Sequence, residues 1–156
     1  MKEVTIYTDG ACSGNPGKGG YGVILSYNGA QKELSAGFEC TTNNRMELLA
    51  AITGLEALKE PCKVKLWSDS KYLIDSVNKK WIDSWQKNGW KNSKKEPVKN
   101  QELFGRLIEL MKIHDVEFCW VKGHDGHPEN ERCDFLATSA AKGDKLFTDN
   151  DYFENL

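Results

Sequence analysis

Asp9 is an acidic residue inside a segment that the sequence predicts to be a buried strand. Residues 4–10 are β-branched or aromatic at nearly every position, which is typical of a strand. An ionised carboxylate removed from water costs several kcal/mol unless a partner compensates it, so Asp9 indicates a nearby cation. A turn at Asp9-Gly10 is the alternative, but Ala11 and Cys12 continue the strand pattern.

Glu47 lies in a predicted helix, residues 45–58, on a face that is directed at the sheet. The residues that share this face are mostly small, namely Ala50, Ala51, Gly54 and Leu58. A helix face of small residues can approach a sheet closely, so Glu47 is predicted to point at the sheet rather than at water. Helix capping after Asn44 is the alternative role for this carboxylate.

Asp69 and Asp134 complete the set of candidate acids. Asp69 follows the predicted strand 62–67, and a helix N-cap is its alternative role. A strand–helix–strand connection makes this strand parallel to the first, so Asp69 is expected near Asp9 at the ligand-binding end of the sheet. Asp134 borders the buried stripe of the predicted helix 129–142, although a surface acid would fit that position too.

Four carboxylates at one end of a sheet would repel one another without cations. All-oxygen ligands select hard cations, which indicates Mg²⁺ or Mn²⁺. Four such ligands can hold two ions about 4 Å apart, an arrangement suited to in-line displacement at phosphorus. The acids therefore predict metal-dependent phosphoryl chemistry.

The elements that position these acids predict an α/β fold in a single domain. Further strands are predicted at residues 21–27, 31–39 and 116–121, and a further helix at residues 100–113. We assign residues 1–143 to the catalytic domain and residues 144–156 to an acidic C-terminal tail, to which the sequence assigns no role.

A basic segment, residues 79–99, contrasts with the net charge of −2 of the whole chain. The segment holds seven lysines and two acids, a net charge of +5, so the rest of the chain carries −7. Three tryptophans, Trp81, Trp85 and Trp90, are interleaved with the lysines. Lysine and tryptophan together suit a nucleic-acid backbone, and a solvated face beside an aromatic cluster is the alternative.

The hydropathy, the N-terminus and the cysteines of the chain indicate where in the cell the protein is located. There is no run of about 18 apolar residues, and because the N-terminus leads directly into a predicted strand we expect no signal peptide. The five cysteines include no Cys-x-x-Cys pair, which disfavours zinc sites and disulfides and favours a reducing compartment. We therefore expect a cytoplasmic protein that does not contact a membrane, and we infer no protein partner and expect a monomer.

Several motifs together resemble type 1 ribonuclease H of bacteria, in order, between Thr5 and about Ala141. They are Tyr7-Thr8-Asp9-Gly10, Thr41-Thr42-Asn43-Asn44-Arg45-Met46-Glu47, Ser68-Asp69-Ser70, Trp120-Val121-Lys122-Gly123-His124 and His127-Pro128-Glu129-Asn130-Glu131-Arg132-Cys133-Asp134. The resemblance implies a ribonuclease H-like fold, with a five-stranded mixed sheet of order 3-2-1-4-5 flanked by helices. It also implies endonucleolytic cleavage of the RNA strand of an RNA·DNA hybrid, leaving 3′-hydroxyl and 5′-phosphate ends.

The resemblance also implies roles for individual residues. Asp9 would bridge two Mg²⁺ ions, for which Mn²⁺ can substitute. Asp134 would complete one metal site, and Glu47 and Asp69 the other. His124 matches the family's proton-transfer or product-release histidine, and a zinc pair with His127 is its alternative role. Residues matching positions that contact the RNA riboses, where the 2′-hydroxyl distinguishes RNA from DNA, are Cys12, Ser13, Asn15, Asn43 and Asn44.

The DNA strand is expected to meet a different set of residues. Thr42 and Asn100 match a pocket for a DNA phosphate, and residues 79–99 match the family's basic protrusion. The protrusion residues that we expect to bind substrate are Trp81, Trp85, Lys87, Trp90, Lys91, Lys94 and Lys95. Two residues depart from the family pattern: Cys40 replaces an arginine of the phosphate pocket, and Lys71, another expected substrate contact, replaces a glutamine near the RNA strand.

Two other functions are compatible with this type of fold. A recombinase or transposase nuclease needs modules that recognise DNA ends, and a single domain leaves no room for them. A module that binds hybrids without cutting them would not need four acids, which without a use would only destabilise the fold. The sequence therefore favours the nuclease.

Overall fold

The computed structural model of the chain describes residues 1–123 and 127–150. Its strands are β1 (Lys2–Gly14), β2 (Gly17–Tyr27), β3 (Ala30–Thr41), β4 (Cys62–Ser68), β5 (Asp115–Trp120) and β6 (Leu146–Phe147). Its helices are α1 (Asn43–Glu56), α2 (Lys71–Asn78), α3 (Trp81–Asn88), α4 (Gln101–Ile113) and α5 (Pro128–Lys142). Every strand and helix predicted from the sequence is thus present, with bounds shifted by a few residues.

The described strands form one mixed sheet of order β5-β4-β1-β2-β3-β6. β1, β2 and β3 are antiparallel neighbours, whereas β4 runs parallel to both β1 and β5. The predicted order 3-2-1-4-5 is confirmed. The predicted number of strands was one too few, because β6 pairs parallel with β3 through only two residues, too few to give an alternating pattern.

The sixth strand brings part of the predicted tail into the sheet. Leu146 pairs with Gly37 and Phe147 pairs with Phe38. The ring centroids of Phe147 and Phe38 lie 6.0 Å apart, so side chains as well as backbone join this segment to β3. The domain boundary at residue 143 stays a prediction.

Helices cover the two faces of the sheet. Alternate residues of a strand point to opposite faces, so Gly22 and Val23 of β2 meet different helices. Gly22 lies against the backbone of α5, where a Cβ would overlap it, and Val23 lies beside Gly54 of α1. α4 packs against α1, which explains why nine residues of α1 are buried around its circumference. In the described part of the chain, no helix has the length and apolar character needed to cross a membrane.

Gly10 sets how closely α1 approaches β1. A Cβ built at this position would lie 2.6 Å from the backbone nitrogen of Glu47, which is closer than real contacts allow. Any larger residue would push the start of α1 away from the strand. The missing side chain at position 10 therefore places Glu47 next to the acid that precedes Gly10.

His114 joins the end of α4 to the beginning of β4. Its side chain is buried, and its Nδ1 accepts a hydrogen bond of 3.1 Å from the backbone nitrogen of Cys62. Burial lowers the pKa of His114 because a charged imidazolium would lose its hydration. The neutral ring is therefore the form that the fold requires.

We predict that His114 makes the protein less stable in mild acid. The unfolded chain takes up the proton near pH 6.5, whereas the folded chain takes it up at a lower pH. The contribution of His114 to the free energy of unfolding is therefore fully present above about pH 6.5. It is lost as the pH falls below that value, by at most about 1.4 kcal/mol per pH unit. Urea unfolding at about pH 5, 6 and 7.5 measures this slope.

His114→Asn is the matched variant, because the asparagine oxygen keeps an acceptor for Cys62 and does not titrate in this range. The variant should lose less stability than the wild type between pH 6.5 and pH 5. Equal slopes for the two proteins would contradict the role given to His114.

Candidate active site

Asp9, Glu47 and Asp69 form an acidic cluster at the carboxyl end of β4 and beside it on β1. One oxygen from each carboxylate lies within 4.8 Å of the corresponding oxygens of the other two. Asp9 and Glu47 are buried and Asp69 is half-buried. Asp134, on α5, lines the same pocket, which has a volume of about 380 Å³. The structure thus brings together all four acids that the sequence singled out.

Backbone geometry determines where each acid lies. Asp9 is held by β1, where its Oδ1 accepts a hydrogen bond of 3.0 Å from Gly10 N. Asp69 directly follows β4, which runs parallel to β1, and Trp120 Nε1 donates a 3.1 Å hydrogen bond to its carbonyl oxygen. Gly123 leaves room for the Asp69 side chain, because a Cβ there would lie 2.8 Å from Oδ2.

Asp134 reaches the pocket because α5 is attached to β1 by the residue before it. Cys133 is fully buried, and its Sγ donates to the carbonyl oxygen of Tyr7 at 3.4 Å. Gly22, on the neighbouring strand, allows the helix backbone to pass close to the sheet. The start of α5 at Pro128 then places Asp134 at the end of its second turn, facing the pocket.

The cluster carries more negative charge than its surroundings can neutralise. Burial, followed by the charges of Asp69 and Asp134, raises the pKa of Asp9 to about 8. Burial and the charges of Asp9 and Asp69 likewise raise the pKa of Glu47 well above its ordinary value. Within residues 1–123 and 127–150, Glu47 Oε2 is a buried oxygen with no hydrogen-bond partner.

These properties fit a hard divalent cation. An unpartnered carboxylate oxygen inside a group of carboxylates is an available ligand, and the donors are all oxygen. A bound cation would also offset the burial and the repulsion that raise these pKa values. The donor set therefore matches the predicted Mg²⁺ site.

The residues predicted to contact RNA lie around the mouth of the same pocket. Cys12 and Asn43 line it, and Asn15 Oδ1 accepts a hydrogen bond of 3.2 Å from Asn43 N. Ser13 and Asn44 are exposed neighbours on the same two elements, β1 and α1. The β1 end and the start of α1 thus form one continuous polar edge.

The two residues predicted to bind a DNA phosphate share a partner. Thr42 caps α1, and its Oγ1 accepts from Arg45 N at 3.2 Å. Asn100 precedes α4, and its Oδ1 accepts from Arg45 Nη1 at 3.1 Å. The N-termini of α1 and α4 therefore meet at Arg45, and both helix dipoles favour an anion there.

The tryptophans of the basic segment differ in exposure. Trp81 is 38% exposed, whereas Trp85 and Trp90 pack against the hydrophobic core. The ring of Trp85 meets that of Phe104 edge-on, with centroids 5.1 Å apart. Trp85 and Trp90 therefore support the segment, and their contact with substrate stays a prediction.

The four lysines expected to bind substrate, Lys87, Lys91, Lys94 and Lys95, are all exposed on this segment. Lys71 is exposed as well, and its ammonium lies 5.0 Å from the centre of the Trp120 ring. His124 lies outside the described residues. His127 packs beside the rings of Tyr7 and Trp67, with centroids 5.6 and 6.0 Å away.

Three residues near the site were given no individual role by sequence reasoning. Trp120 holds the backbone of Asp69. Arg45 and Asp149 form a buried ion pair beside Asn100. A charged residue in an otherwise buried helix was the available signal for Arg45, but its partner is 104 residues away and the sequence offers no pattern that connects them.

Comparisons with known proteins agree on one family. The family model described as RNase H matches residues 1–142. The ribonuclease H of Desulforamulus reducens is 61% identical over 146 residues, which cover 94% of this chain and 92% of the relative. The ribonuclease H of Lachnoclostridium phytofermentans is 60% identical over 154 residues, covering 95% and 98%.

Solved structures show the same fold. LC9-RNase H1, a type 1 RNase H with the type 2 active-site motif, matches with a TM-score of 0.83 and 27% identity, covering 100% of this chain and 82% of that one. LC11-RNase H1, solved in complex with an RNA/DNA hybrid, matches with a TM-score of 0.63 and 26% identity, covering 88% and 96%.

We predict that Asp9→Asn stabilises the metal-free protein at alkaline pH. The folded state holds a proton on Asp9 up to about pH 8, whereas the unfolded chain releases it near pH 4, so metal-free stability falls as the pH rises between these values. Asparagine removes one charge from the cluster, and at pH 8 we expect a gain of at least about 1 kcal/mol, or roughly 2–4 °C in melting temperature.

Melting in chelator at about pH 5 and pH 8 measures the effect, and Asp115→Asn, which changes an exposed acid, is the control. Only the Asp9 variant should flatten the loss of stability between the two pH values. If both variants keep the wild-type pH dependence, the charge on Asp9 is not what destabilises the metal-free fold.

Proposed function

The chain belongs to the ribonuclease H family and is a nuclease, and we propose that it cleaves the RNA strand of RNA·DNA hybrids endonucleolytically. The products would carry 3′-hydroxyl and 5′-phosphate ends. The observation that carries this proposal is the acidic cluster of Asp9, Glu47 and Asp69 in a pocket that Asp134 also lines. The hybrid bound to LC11-RNase H1 supports the choice of substrate.

Two Mg²⁺ ions are the proposed cofactors, and Mn²⁺ can replace them. Asp9 would contact both ions, with Asp134 completing one site and Glu47 and Asp69 the other. When bound, the ions would make the attacking water nucleophilic and stabilise the leaving oxygen. The raised pKa of Asp9 and the unpartnered Oε2 of Glu47 support this assignment, because a cation would stabilise buried carboxylates that repel one another.

The chain's own residues would orient the RNA strand above the acids. Cys12, Ser13, Asn15, Asn43 and Asn44 lie on the polar edge of the pocket, where amide and hydroxyl groups can contact 2′-hydroxyls. His124 is proposed to move a proton or to assist product release. That proposal comes from the family resemblance alone, because His124 lies outside the described residues.

The DNA strand would be held at two places. Thr42 and Asn100, at the meeting N-termini of α1 and α4, can donate hydrogen bonds to a phosphate. The basic protrusion, residues 79–99, supplies positive charge, with Trp81 as its exposed aromatic side chain. Lys71, next to Trp120, would contact the nucleic acid near the acids. A monomer, without a protein partner and in the cytoplasm, remains our expectation.

Cleavage of a labelled hybrid tests the proposal. The wild type with Mg²⁺ should cut the RNA strand of a hybrid and leave double-stranded RNA and double-stranded DNA intact, and chelator should stop the reaction. Asp9→Asn should reduce the rate by at least about 10³-fold, because the residue is proposed to contact both ions. Asp115→Asn, an exposed acid, should retain full activity.

The ends of the products are tested separately. A 3′-hydroxyl can be extended by a polymerase that acts on RNA ends, and a 5′-phosphate is removed by phosphatase with a change in mobility. Substantial residual cleavage by Asp9→Asn would contradict the role of the cluster. Cleavage of all duplexes alike would contradict the proposed substrate.

We further predict that the protrusion contributes affinity rather than chemistry. Replacing Lys87, Lys91, Lys94 and Lys95 together with alanine should raise KM for the hybrid more than it lowers kcat. Each lost phosphate contact should flatten the dependence of log K on log salt by about 0.7–0.9. Binding titrations over a range of salt concentrations measure this slope.

A second quadruple variant controls for total charge. It replaces exposed lysines elsewhere on the molecule, namely Lys32, Lys59, Lys142 and Lys145. It removes the same number of charges and should leave most of the salt dependence in place. Equal slopes for the two quadruple variants would show that the protrusion is a solvated face without a specific role in binding.

A further inference from the structure

Asp149, in the segment after β6, forms a two-point ion pair with Arg45 of α1. Arg45 Nε donates to Asp149 Oδ2 at 2.7 Å, and Arg45 Nη2 donates to Oδ1 at 3.0 Å. Both side chains are about 95% buried. Two parallel hydrogen bonds fix the plane of a guanidinium as well as its position.

The aspartate is itself held in place. Its Oδ2 also accepts a 2.7 Å hydrogen bond from Oγ1 of Thr41, which is fully buried at the end of β3. β6, which pairs with β3 two residues earlier in the chain, brings Asp149 to this point. The carboxylate is therefore attached to the sheet before it meets Arg45.

The remaining nitrogen of the guanidinium determines the orientation of Asn100. Arg45 Nη1 donates to Asn100 Oδ1 at 3.1 Å and also to Glu102. Because the oxygen of the Asn100 amide faces Arg45, its nitrogen is directed elsewhere, and Nδ2 donates to Tyr72 Oη at 3.2 Å. An amide nitrogen carries two hydrogens, so a second donor is left for a ligand.

The opposite orientation of this amide would be unfavourable for binding. If Asn100 turned over, its oxygen would take the place of the nitrogen, and a carbonyl oxygen next to a phosphate oxygen is repulsive. The donor that Arg45 directs at the Asn100 oxygen disfavours this rotation. The orientation of Arg45 in turn depends on the two hydrogen bonds that it donates to Asp149.

We propose that Asp149 is a positioning residue for nucleic-acid binding, which acts through Arg45 to hold the amide nitrogen of Asn100 toward a phosphate of the bound strand. The inference rests on the proposed function, since it assigns the phosphate to the hybrid. It gives the C-terminal segment, which lies outside the part that matches the family model, a role in substrate affinity.

Charge balance argues against a purely stabilising role for the pair. Arg45 contacts two carboxylates, Asp149 and Glu102, so one of them is sufficient to neutralise the guanidinium. Burying a second carboxylate costs hydration, and buried ion pairs are weak contributors to stability. Asp149 does, however, fix the plane of the guanidinium through two hydrogen bonds, which Glu102 does not do through its one.

A double-mutant cycle between Asp149 and Asn100 tests the proposal. Asp149→Asn keeps the size of the side chain but replaces an acceptor with a donor that faces Arg45, and the protein should still fold because Glu102 remains. We expect KM for the hybrid to rise about threefold to tenfold, with kcat within about twofold of the wild type. Asn100→Ala should raise KM to a similar extent.

The decisive result is the coupling between the two changes. In the Asn100→Ala background, Asp149→Asn should have no further effect on KM, because the group that it positions is already missing. The salt dependence of binding should stay that of the wild type, because Asn100 is uncharged. The control is Asp144→Asn, which changes an exposed acid in the same C-terminal part of the chain. It should leave KM unchanged both in the wild type and in the Asn100→Ala background.

A full additional rise in KM in the Asn100→Ala background would overturn the inference, and so would an unchanged KM in Asp149→Asn alone. A steeper salt dependence in Asp149→Asn would also overturn it, by showing that the released Arg45 binds phosphate directly. A wild type that cleaves no hybrid would instead overturn the proposed function, and this inference with it.

If Asp149→Asn does not fold, Thr41→Val provides a second route. Valine has nearly the shape of threonine and removes only the hydrogen bond from Oγ1 to Asp149. It should raise KM about twofold to threefold, and the rise should again vanish in the Asn100→Ala background. An equal rise in both backgrounds would overturn the inference.

Discussion

Burial of Asp9 and Glu47 beside Asp69 works against folding, because like charges within 4.8 Å repel one another and two of them have lost their hydration. Burial, followed by this repulsion, raises the pKa of Asp9 to about 8. The fold must therefore hold these groups with contacts that do not depend on them. Those contacts are the close packing of helices on glycines of the sheet, at Gly10 for α1 and at Gly22 for α5.

The residues that stabilise the fold and the acids that destabilise it therefore occupy different parts of the molecule. The hydrophobic core lies between α1, α4 and the sheet, where Ile6, Leu48, Leu66 and Phe104 are fully buried. The acids lie at the edge of this core, where β4 ends beside β1. A divalent cation bound there would turn the repulsion into attraction, so the residues that oppose folding of the metal-free chain are those that would favour the metal-bound one.

The basic protrusion, residues 79–99, has a charge opposite to that of the acids. Acidic residues occupy the pocket, whereas the lysines of residues 79–99 lie on a segment that Trp85 and Trp90 anchor to the core. A polyanion would be attracted to the lysines and would approach the acids only when cations neutralise them. The separation of the two regions thus suits a substrate held at one place and cut at another.

From the sequence alone, the five main strands and the four acids could be predicted from local patterns, and the order of the strands from the family resemblance. Alternation along residues 62–67 indicates a strand, and the small face of α1 indicates that Glu47 points at the sheet. The packing of Trp85 on Phe104 and the two-residue strand β6 could not be predicted, since neither leaves a periodic signal. The tertiary structure alone decided that Asp149 meets Arg45 and that Arg45 orients Asn100, because these contacts join residues 104 and 55 positions apart. Local sequence determines which elements form, but a hydrogen bond between distant side chains exists only once the chain between them has folded.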